Sequence, residues 1–279
     1  MYDRELFRAA VPGGALGGWV AGEGPPVLLL HGGPGLGYEY MDQTGAELQP
    51  GFRVASFQQR GLEPSTLQGP FTIAQALEDV ASVLEALGWS RALVVGHSWG
   101  GHLALRFAAA HPGRLLGVLA IDPIGIAGDG GRAAFGAELV ARIPKDGRER
   151  HRVLAEREDA GAGTPEERQE GQRIAWPAYF ADPENAPPMP PLRMCVDAFT
   201  AIDAEIADGA DEVAAALATG AVRYGVLAGG ASPIPWGQAA RASAELSPNA
   251  FLTIVPGAGH FVWHEAPGSV RAALQRLGE

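Results

Sequence analysis

The chain has 279 residues, enough to bury a large hydrophobic core as one sizeable domain or as a domain with an insertion. Its 32 acidic and 21 basic residues give a net charge of −11, which argues against a nucleic-acid partner and against an anionic membrane surface. The single cysteine, Cys195, excludes an intramolecular disulfide and has no neighbours in the sequence that suggest a metal site.

The first residues of the chain predict no targeting segment. Charges are mixed through "MYDRELFR", and Pro12 and Gly13 follow, so no continuous apolar stretch comes after a basic start. The longest wholly apolar runs, such as "VLLL" at 27–30, are far shorter than the roughly 20 residues that a membrane-spanning helix needs. We therefore expect a cytoplasmic protein with no membrane partner.

Short apolar runs alternate with helical patterns through the first half of the chain. Strands are predicted in "PPVLLL", in "FRVASF" at 52–57, in "RALVV" and in "LLGVLAI", the last of which leads to Asp122. Helices are predicted in "IAQALEDVASVLEALG", which Gly88 ends, and in "HLALRFAAA", which Pro112 ends. This alternation predicts an α/β fold with a mostly parallel central sheet and helices on both faces.

The character of the chain changes at about residue 127. Residues 129–190 contain charged short helical segments joined by proline-rich turns, with few apolar runs. We therefore predict a helical cap at 127–207, inserted after the strand that ends near Asp122. The predicted core domain comprises 1–126 and 208–279, and its last part holds two strands, "VRYGVLAG" and "AFLTIVPG", and the helix "SVRAALQRLG".

A serine between two glycines follows the third predicted strand, in "GHSWGG" at 96–101. A strand that leads through a tight turn into a helix presents such a serine at the carboxyl end of the sheet, where the Trp99 N–H can bind an oxyanion. In "HGGPG" at 31–35, after another strand, the Gly33 N–H is a candidate second donor. His260 lies in the glycine-flanked loop "PGAGH". The alternative is a glycine-rich turn in which Ser98 has no chemical role.

These motifs resemble those of the α/β-hydrolase fold, and within it the proline iminopeptidase-like branch. That branch is marked by an HGGPG loop, a D-Q-R-G-x-G-x-S turn, a G-x-S-W-G elbow and a G-x-G-H loop, which stand here as "HGGPG", "QQRGLEPS", "GHSWGG" and "GAGH". The resemblance implies acyl transfer, in which Ser98 attacks a carbonyl and His260 moves the proton. The Gly33 and Trp99 amides would hold the oxyanion. No cofactor and no metal are expected.

The third member of the catalytic triad departs from the family pattern. The family places its acid after the penultimate strand as G-x-x-D-P, but "GGASPIP" puts Ser232 at that position. Asp122, at the end of the strand after the nucleophile, is our candidate, and the haloalkane dehalogenase branch is similar in placing its acid there. The alternative is that Asp122 only begins a turn before Pro123. We predict that Asp122→Asn lowers kcat about 10²-fold or more and that Ser232→Ala changes it little.

Three functions are consistent with the motifs. A serine hydrolase of esters, thioesters, lactones or amides is favoured by apolar cap side chains that could form an acyl pocket, namely Trp176, Tyr179, Phe180 and Met189. A proline iminopeptidase-type aminopeptidase is the alternative, and it would use acidic cap residues to bind the substrate's amino terminus. The acidic candidates are Glu156, Glu158, Asp159, Glu166, Glu167, Glu170 and Glu184. A third hypothesis is a non-hydrolytic binder or lyase. We expect a small-molecule or short-peptide substrate and a monomer or homodimer.

Overall fold

The computed structural model describes residues 3–278, and its centre is an eight-stranded sheet. The strands are β1 Glu5–Val11, β2 Gly14–Ala21, β3 Pro26–Leu30, β4 Arg53–Phe57, β5 Ala92–His97, β6 Leu115–Ile121, β7 Tyr224–Gly229 and β8 Ala250–Val255. Their order across the sheet is β1-β2-β4-β3-β5-β6-β7-β8. All pairs from β4 to β8 are parallel, and β1 and β2 join antiparallel at one edge. The predicted mostly parallel sheet is confirmed.

Helices cover both faces of this sheet, as predicted. They are α1 Asp42–Leu48, α2 Ile73–Ala86, α3 Trp99–Ala110, α4 Arg132–Arg142, α5 Lys145–Asp159, α6 Pro165–Ala175, α7 Val196–Glu205, α8 Ala210–Thr219, α9 Ala242–Ala244, α10 Val262–Glu265 and α11 Ser269–Arg276. Side chains of α2, α3 and α8 belong to one core cluster, and those of α10 and α11 belong to a second cluster on the opposite face. Because both faces are covered, β3 and β7 are continuous apolar runs rather than alternating ones.

The hairpin of β1 and β2 is the part of the sheet that the sequence analysis missed. Strand β2 has the sequence "GALGGWVA". Because three of its residues are glycines without side chains, it lacks the alternation of apolar and polar residues that predicts a strand. The structure shows why a glycine is needed: a Cβ on Gly18 would lie 2.3 Å from the carbonyl oxygen of Ser56 on β4. The neighbouring strand therefore approaches more closely than any side chain would allow.

The segment between β6 and β7 contains α4–α8 and short turns of 3₁₀ helix, including Trp176–Tyr179. Helix α8 packs against α3 and its Leu217 joins the core under the sheet. Helices α5 and α6 pack mainly against each other. The boundaries 127–207 of the cap remain a prediction. Among residues 3–278, no helix is both long enough and apolar enough to span a bilayer.

Candidate active site

Ser98 occupies a sharp turn between β5 and α3, at the carboxyl end of the parallel strands. Its backbone has φ 55° and ψ −119°, a conformation that is strained for a residue with a side chain. The two flanking glycines make the turn possible, because a Cβ on Gly96 would lie 2.0 Å from the Gly100 carbonyl oxygen and one on Gly100 would lie 2.2 Å from the Leu30 carbonyl oxygen. Ser98 itself is partly exposed. The turn thus presents a serine hydroxyl at the edge of the sheet.

Asp122 and His260 meet beside this turn. Asp122 follows β6 and has φ 41°; among the described residues, it and Ser98 are the non-glycine residues with positive φ. His260 follows β8, and its Nδ1 lies 2.6 Å from Asp122 Oδ2. Both side chains are buried, at 5% and 1% exposure. The structure therefore brings together the histidine and the acid that the sequence singled out.

The carboxylate of Asp122 receives two further hydrogen bonds. The Gly229 N–H donates to Oδ1 at 3.1 Å, and the Ser232 hydroxyl donates to Oδ2 at 2.5 Å. Ser232 is the residue at the position where the family carries its acid, so this hydroxyl supports the aspartate that stands on the neighbouring strand. Together with His260 Nδ1, these groups provide three donors to the two oxygens of Asp122. That number fits an ionised carboxylate, which accepts at both oxygen atoms.

Burial governs the protonation of the pair. It lowers the pKa of His260 from its ordinary value to about 3, which keeps the ring neutral and able to take up a proton during a reaction. Burial also raises the pKa of Asp122, and the hydrogen bonds from Ser232 and Gly229 oppose that rise. Since Asp122 lies at Nδ1, the proton of the neutral His260 ring is assigned to Nδ1 and leaves Nε2 as the basic atom.

Two backbone N–H groups are candidates for an oxyanion hole next to Ser98. Trp99 is the first residue of α3, where N–H groups have no acceptor within the helix. The loop after β3 lies directly against the Ser98 turn, since a Cβ on Gly32 would be 2.8 Å from Ser98 Cβ. The Gly32 N–H already donates to the Tyr40 hydroxyl. Of the two consecutive amides, that of Gly33, with φ 52°, is therefore the free candidate.

The "QQRG" turn holds this loop in place. Gln59 Nε2 donates to the His31 carbonyl oxygen at 2.9 Å, and the Gln59 N–H donates to His31 Nε2 at 3.0 Å. Gln59 Oε1 accepts from the Trp99 indole at 2.9 Å. One glutamine side chain thus bridges the glycine-rich loop and the turn at Ser98. Arg60 forms a buried ion pair with Asp79 of α2 at 2.6 Å, which anchors the same turn.

The 3₁₀ turn Trp176–Tyr179 brings the cap segment into contact with the histidine loop. The Tyr179 carbonyl oxygen accepts from the His260 N–H at 2.8 Å, and the centroids of the two rings are 5.3 Å apart. Glu265 accepts from the Gly259 N–H at 2.7 Å and from the Ala181 N–H at 2.9 Å. The cap is therefore hydrogen-bonded to His260 itself and to Glu265 at the end of α10, contacts that the sequence did not reveal.

The apolar cap candidates divide into two groups. Trp176 and Phe180 are buried and pack on Phe261, with ring centroids 4.8 Å and 5.4 Å from it, so they stabilise the docking of the cap. Tyr179 is the aromatic cap residue whose ring lies against His260. Met189 is partly exposed in a proline-rich segment. Of the four predicted pocket residues, Tyr179 is therefore the one whose ring lies beside His260.

Most of the acidic cap candidates are paired with arginines. These pairs are Glu156 with Arg152, Glu158 with Arg168, Glu167 with Arg157, and Glu170 with Arg150. These pairs are partly exposed and each contributes little stability, but a carboxylate next to an arginine presents less uncompensated negative charge to a substrate ammonium group. Glu166 lines a cavity of about 340 Å³ between α6 and residues 192–196, and Arg168 lines it too. Within residues 3–278, no cluster of three His, Cys, Asp or Glu side chains could hold a metal ion.

Comparisons with known proteins show which family and which fold the chain shares. Residues 27–273 match the sequence model of the alpha/beta hydrolase family. Epoxide hydrolase B of Mycobacterium tuberculosis is 38% identical over 127 residues, which are 44% of this chain and 35% of that protein. A proline iminopeptidase of Neisseria gonorrhoeae is 36% identical over 100 residues, 35% of this chain and 32% of that protein. These matches span only about a third of the relatives' own length.

Solved structures show the same fold. An alpha/beta fold family hydrolase from Bacillus anthracis superimposes with a TM-score of 0.74 at 17% identity, over 99% of each chain. The 2-hydroxy-6-oxo-6-phenylhexa-2,4-dienoate hydrolase of a Rhodococcus strain superimposes with a TM-score of 0.68 at 20% identity, over 100% of this chain and 99% of that one. At such low identity the likeness shows the architecture alone.

Proposed function

Because the chain belongs to the alpha/beta hydrolase family, we propose that it is a serine hydrolase that acts by acyl transfer on a small ester, thioester, lactone or amide. The observation that carries the proposal is the strained turn at Ser98 beside the hydrogen-bonded pair of His260 and Asp122. A nucleophile, a neutral base and a carboxylate that orients the base are the parts that acyl transfer needs.

In the proposed reaction, the Ser98 hydroxyl attacks the substrate carbonyl and its proton passes to His260 Nε2. The negative charge of the tetrahedral intermediate falls on the carbonyl oxygen, where the Gly33 and Trp99 N–H groups donate to it. Loss of one such donor typically costs about 3 kcal/mol of barrier. His260 then protonates the leaving group, which departs and leaves an ester on Ser98. Water, activated by His260, hydrolyses this ester and restores the enzyme.

A serine nucleophile favours this reaction over the epoxide hydrolysis named in several relatives. A serine that opened an epoxide would form an ether, and an ether has no carbonyl for water to attack, so the enzyme would remain alkylated. A serine that attacks an acyl group forms an ester, which His260 and water can hydrolyse. Ser98 therefore favours acyl substrates over epoxides, although the curated relatives include Epoxide hydrolase B.

An aminopeptidase that removes N-terminal proline is the second candidate. The sequence motifs and the similarity to a proline iminopeptidase favour it. The pairing of Glu156, Glu158, Glu167 and Glu170 with arginines speaks against those residues as ligands for a substrate amino group. An ester or related small acyl compound is therefore the better-supported substrate class.

Labelling with a fluorophosphonate probe tests the nucleophile. We expect rapid labelling of the wild type, no labelling of Ser98→Ala, and wild-type labelling of Ser90→Ala, whose serine is exposed on a loop at the opposite end of the sheet. Hydrolysis of short p-nitrophenyl esters compared with a prolyl arylamide then separates the two substrate classes. Persistent labelling of Ser98→Ala would contradict the proposal. A folded wild type that neither labels nor hydrolyses the esters would favour the binder or lyase.

A further inference from the structure

His97 is the last residue of β5, immediately before the nucleophile, and its side chain is buried on the side of the histidine loop. Its ring centroid lies 4.3 Å from that of His260 and 4.7 Å from that of Trp263. The mechanism proposed above gives His97 no chemical step. A buried histidine beside the catalytic base nevertheless has two ring nitrogens to satisfy, and both have specific partners.

The partners determine where the ring proton resides. His97 Nε2 lies 3.1 Å from the His260 carbonyl oxygen, which can only accept, so Nε2 carries the proton. Nδ1 lies 2.9 Å from the Tyr40 hydroxyl and is then an acceptor, so the hydroxyl donates to it. The same hydroxyl accepts from the Gly32 N–H. Burial and the neighbouring His260 lower the pKa of His97 well below its ordinary value, which keeps the ring in this neutral form.

The result is one continuous chain of hydrogen bonds with a single direction. It runs from the Gly32 N–H to the Tyr40 hydroxyl, from that hydroxyl to His97, and from His97 to the His260 carbonyl oxygen. Its two ends are loops that follow β3 and β8, and three strands separate β3 from β8 in the sheet. Strands β3 and β8 are therefore not paired with each other, and the chain of hydrogen bonds through His97 links their two loops more directly than the sheet does.

Those two loops carry opposite parts of the proposed machinery. The amide of Gly33 follows Gly32 directly, and His260 carries the base. An error of about 1 Å between a base and the site of developing charge can cost about 10²-fold in rate. We infer that His97, held in its Nε2–H form by Tyr40, is a positioning residue that fixes the main chain of His260 relative to the oxyanion donors. This inference rests on the proposed function.

Two substitutions of His97 distinguish the two ends of this series of hydrogen bonds, the contact with Tyr40 and the contact with His260. In His97→Gln, the amide nitrogen extends far enough to replace Nε2 and donate to the His260 carbonyl oxygen. In His97→Asn, the shorter amide reaches only the Tyr40 end. If the contact with His260 positions the base, we expect His97→Asn to lower kcat and the rate of fluorophosphonate labelling about 10-fold or more with KM little changed, and His97→Gln to recover most of both.

Tyr40→Phe tests the other end without altering the histidine. It removes the acceptor of the Gly32 N–H and the donor to His97, so we expect a loss of kcat and labelling rate of about 10-fold. Tyr224→Phe is the matched control, because that buried hydroxyl also makes one backbone hydrogen bond, to Ser243, but lies at the start of β7, away from the nucleophile. It should lower the melting temperature without changing the labelling rate of the folded enzyme.

Nitrogen NMR of the His97 ring provides a readout that is independent of catalysis. We expect a protonated Nε2 and an unprotonated Nδ1 in the wild type, and loss of this single form in Tyr40→Phe. If the wild type is labelled, two outcomes would overturn the inference. In the first, His97→Asn and Tyr40→Phe have the rates of the wild type. In the second, the rates fall equally in His97→Asn and His97→Gln. An unlabelled wild type with the expected ring signals would instead overturn the proposed serine chemistry.

Discussion

Substitution of Asp122 by asparagine preserves the shape of the candidate site and removes one charge. Asp122 Oδ2 lies 2.6 Å from His260 Nδ1, and both side chains are buried. When His260 takes up the proton of the nucleophile, the carboxylate and the imidazolium become an ion pair with charge centres about 4 Å apart, worth about 4 kcal/mol at an effective dielectric constant of 20. Since each 1.36 kcal/mol is a factor of ten in rate, we expect kcat to fall about 10³-fold.

The hydrogen-bond pattern strengthens this expectation. An asparagine side chain has one acceptor oxygen where the aspartate has two. If that oxygen still accepts the hydrogen bond from the Gly229 N–H, the NH₂ group of the asparagine faces His260 Nδ1. Nδ1 must then accept, so the ring proton moves to Nε2. A protonated Nε2 cannot accept the proton of Ser98, so the histidine is held in the inactive tautomer.

The assay is the kcat for a p-nitrophenyl ester and the labelling rate with a fluorophosphonate, both measured on folded protein. Ser232→Ala is the matched control, because it removes one donor to the same carboxylate oxygen and keeps the charge. The structure revises the sequence-based expectation for this variant from little change to a loss of about 10-fold. A loss below about threefold in Asp122→Asn, or an equal loss in the two variants, would refute the assignment of Asp122.

The remaining predictions concern stability. Burial lowers the pKa of His31 to about 4 and those of His102 and His260 to about 3, and it lowers the pKa of His97 in the same direction. Between pH 6.5 and about 4 the unfolded chain therefore binds protons that the folded chain does not, and the free energy of unfolding falls by up to about 1.4 kcal/mol per pH unit for each of these histidines. Urea unfolding between pH 7 and 4.5 measures this slope. Asp79→Asn leaves the buried guanidinium of Arg60 without its charge partner and should lower the free energy of unfolding by about 3 to 5 kcal/mol in the same assay. Gly100→Ala forces a Cβ into the backbone and should abolish soluble folded protein, scored by circular dichroism.

Matched controls make these outcomes specific. Asp203→Asn breaks a partly exposed ion pair with Arg132 and should cost less than about 1 kcal/mol. Gly113→Ala adds a Cβ that meets no atom within 4 Å and should leave the fold intact. A free energy of unfolding that stays flat between pH 7 and 5 would contradict the lowered pKa values of the buried histidines. Equal costs for the two aspartate variants would contradict the role of burial.

The sequence by itself predicted the parallel sheet and the local part of the candidate site. An apolar run, a glycine-flanked turn and a helical pattern are encoded within about a dozen consecutive residues, so Ser98, Gly33 and His260 could be placed at strand ends without a structure. The same reasoning put Asp122 at a strand end, where it lies against His260. These predictions depend on local backbone geometry, which nearby residues determine.

The tertiary structure alone decided which side chains support those groups. The hydrogen bonds of Tyr40 to His97 and of His97 to His260 join residues 57 and 163 positions apart, and Ser232 reaches Asp122 across 110 positions. Glu265 joins the histidine loop to the cap in the same way. Such contacts follow from the order of strands in the sheet and from the direction in which each loop leaves it. Both are properties of the whole packed chain, because strands distant in sequence become neighbours only when the core excludes water between them.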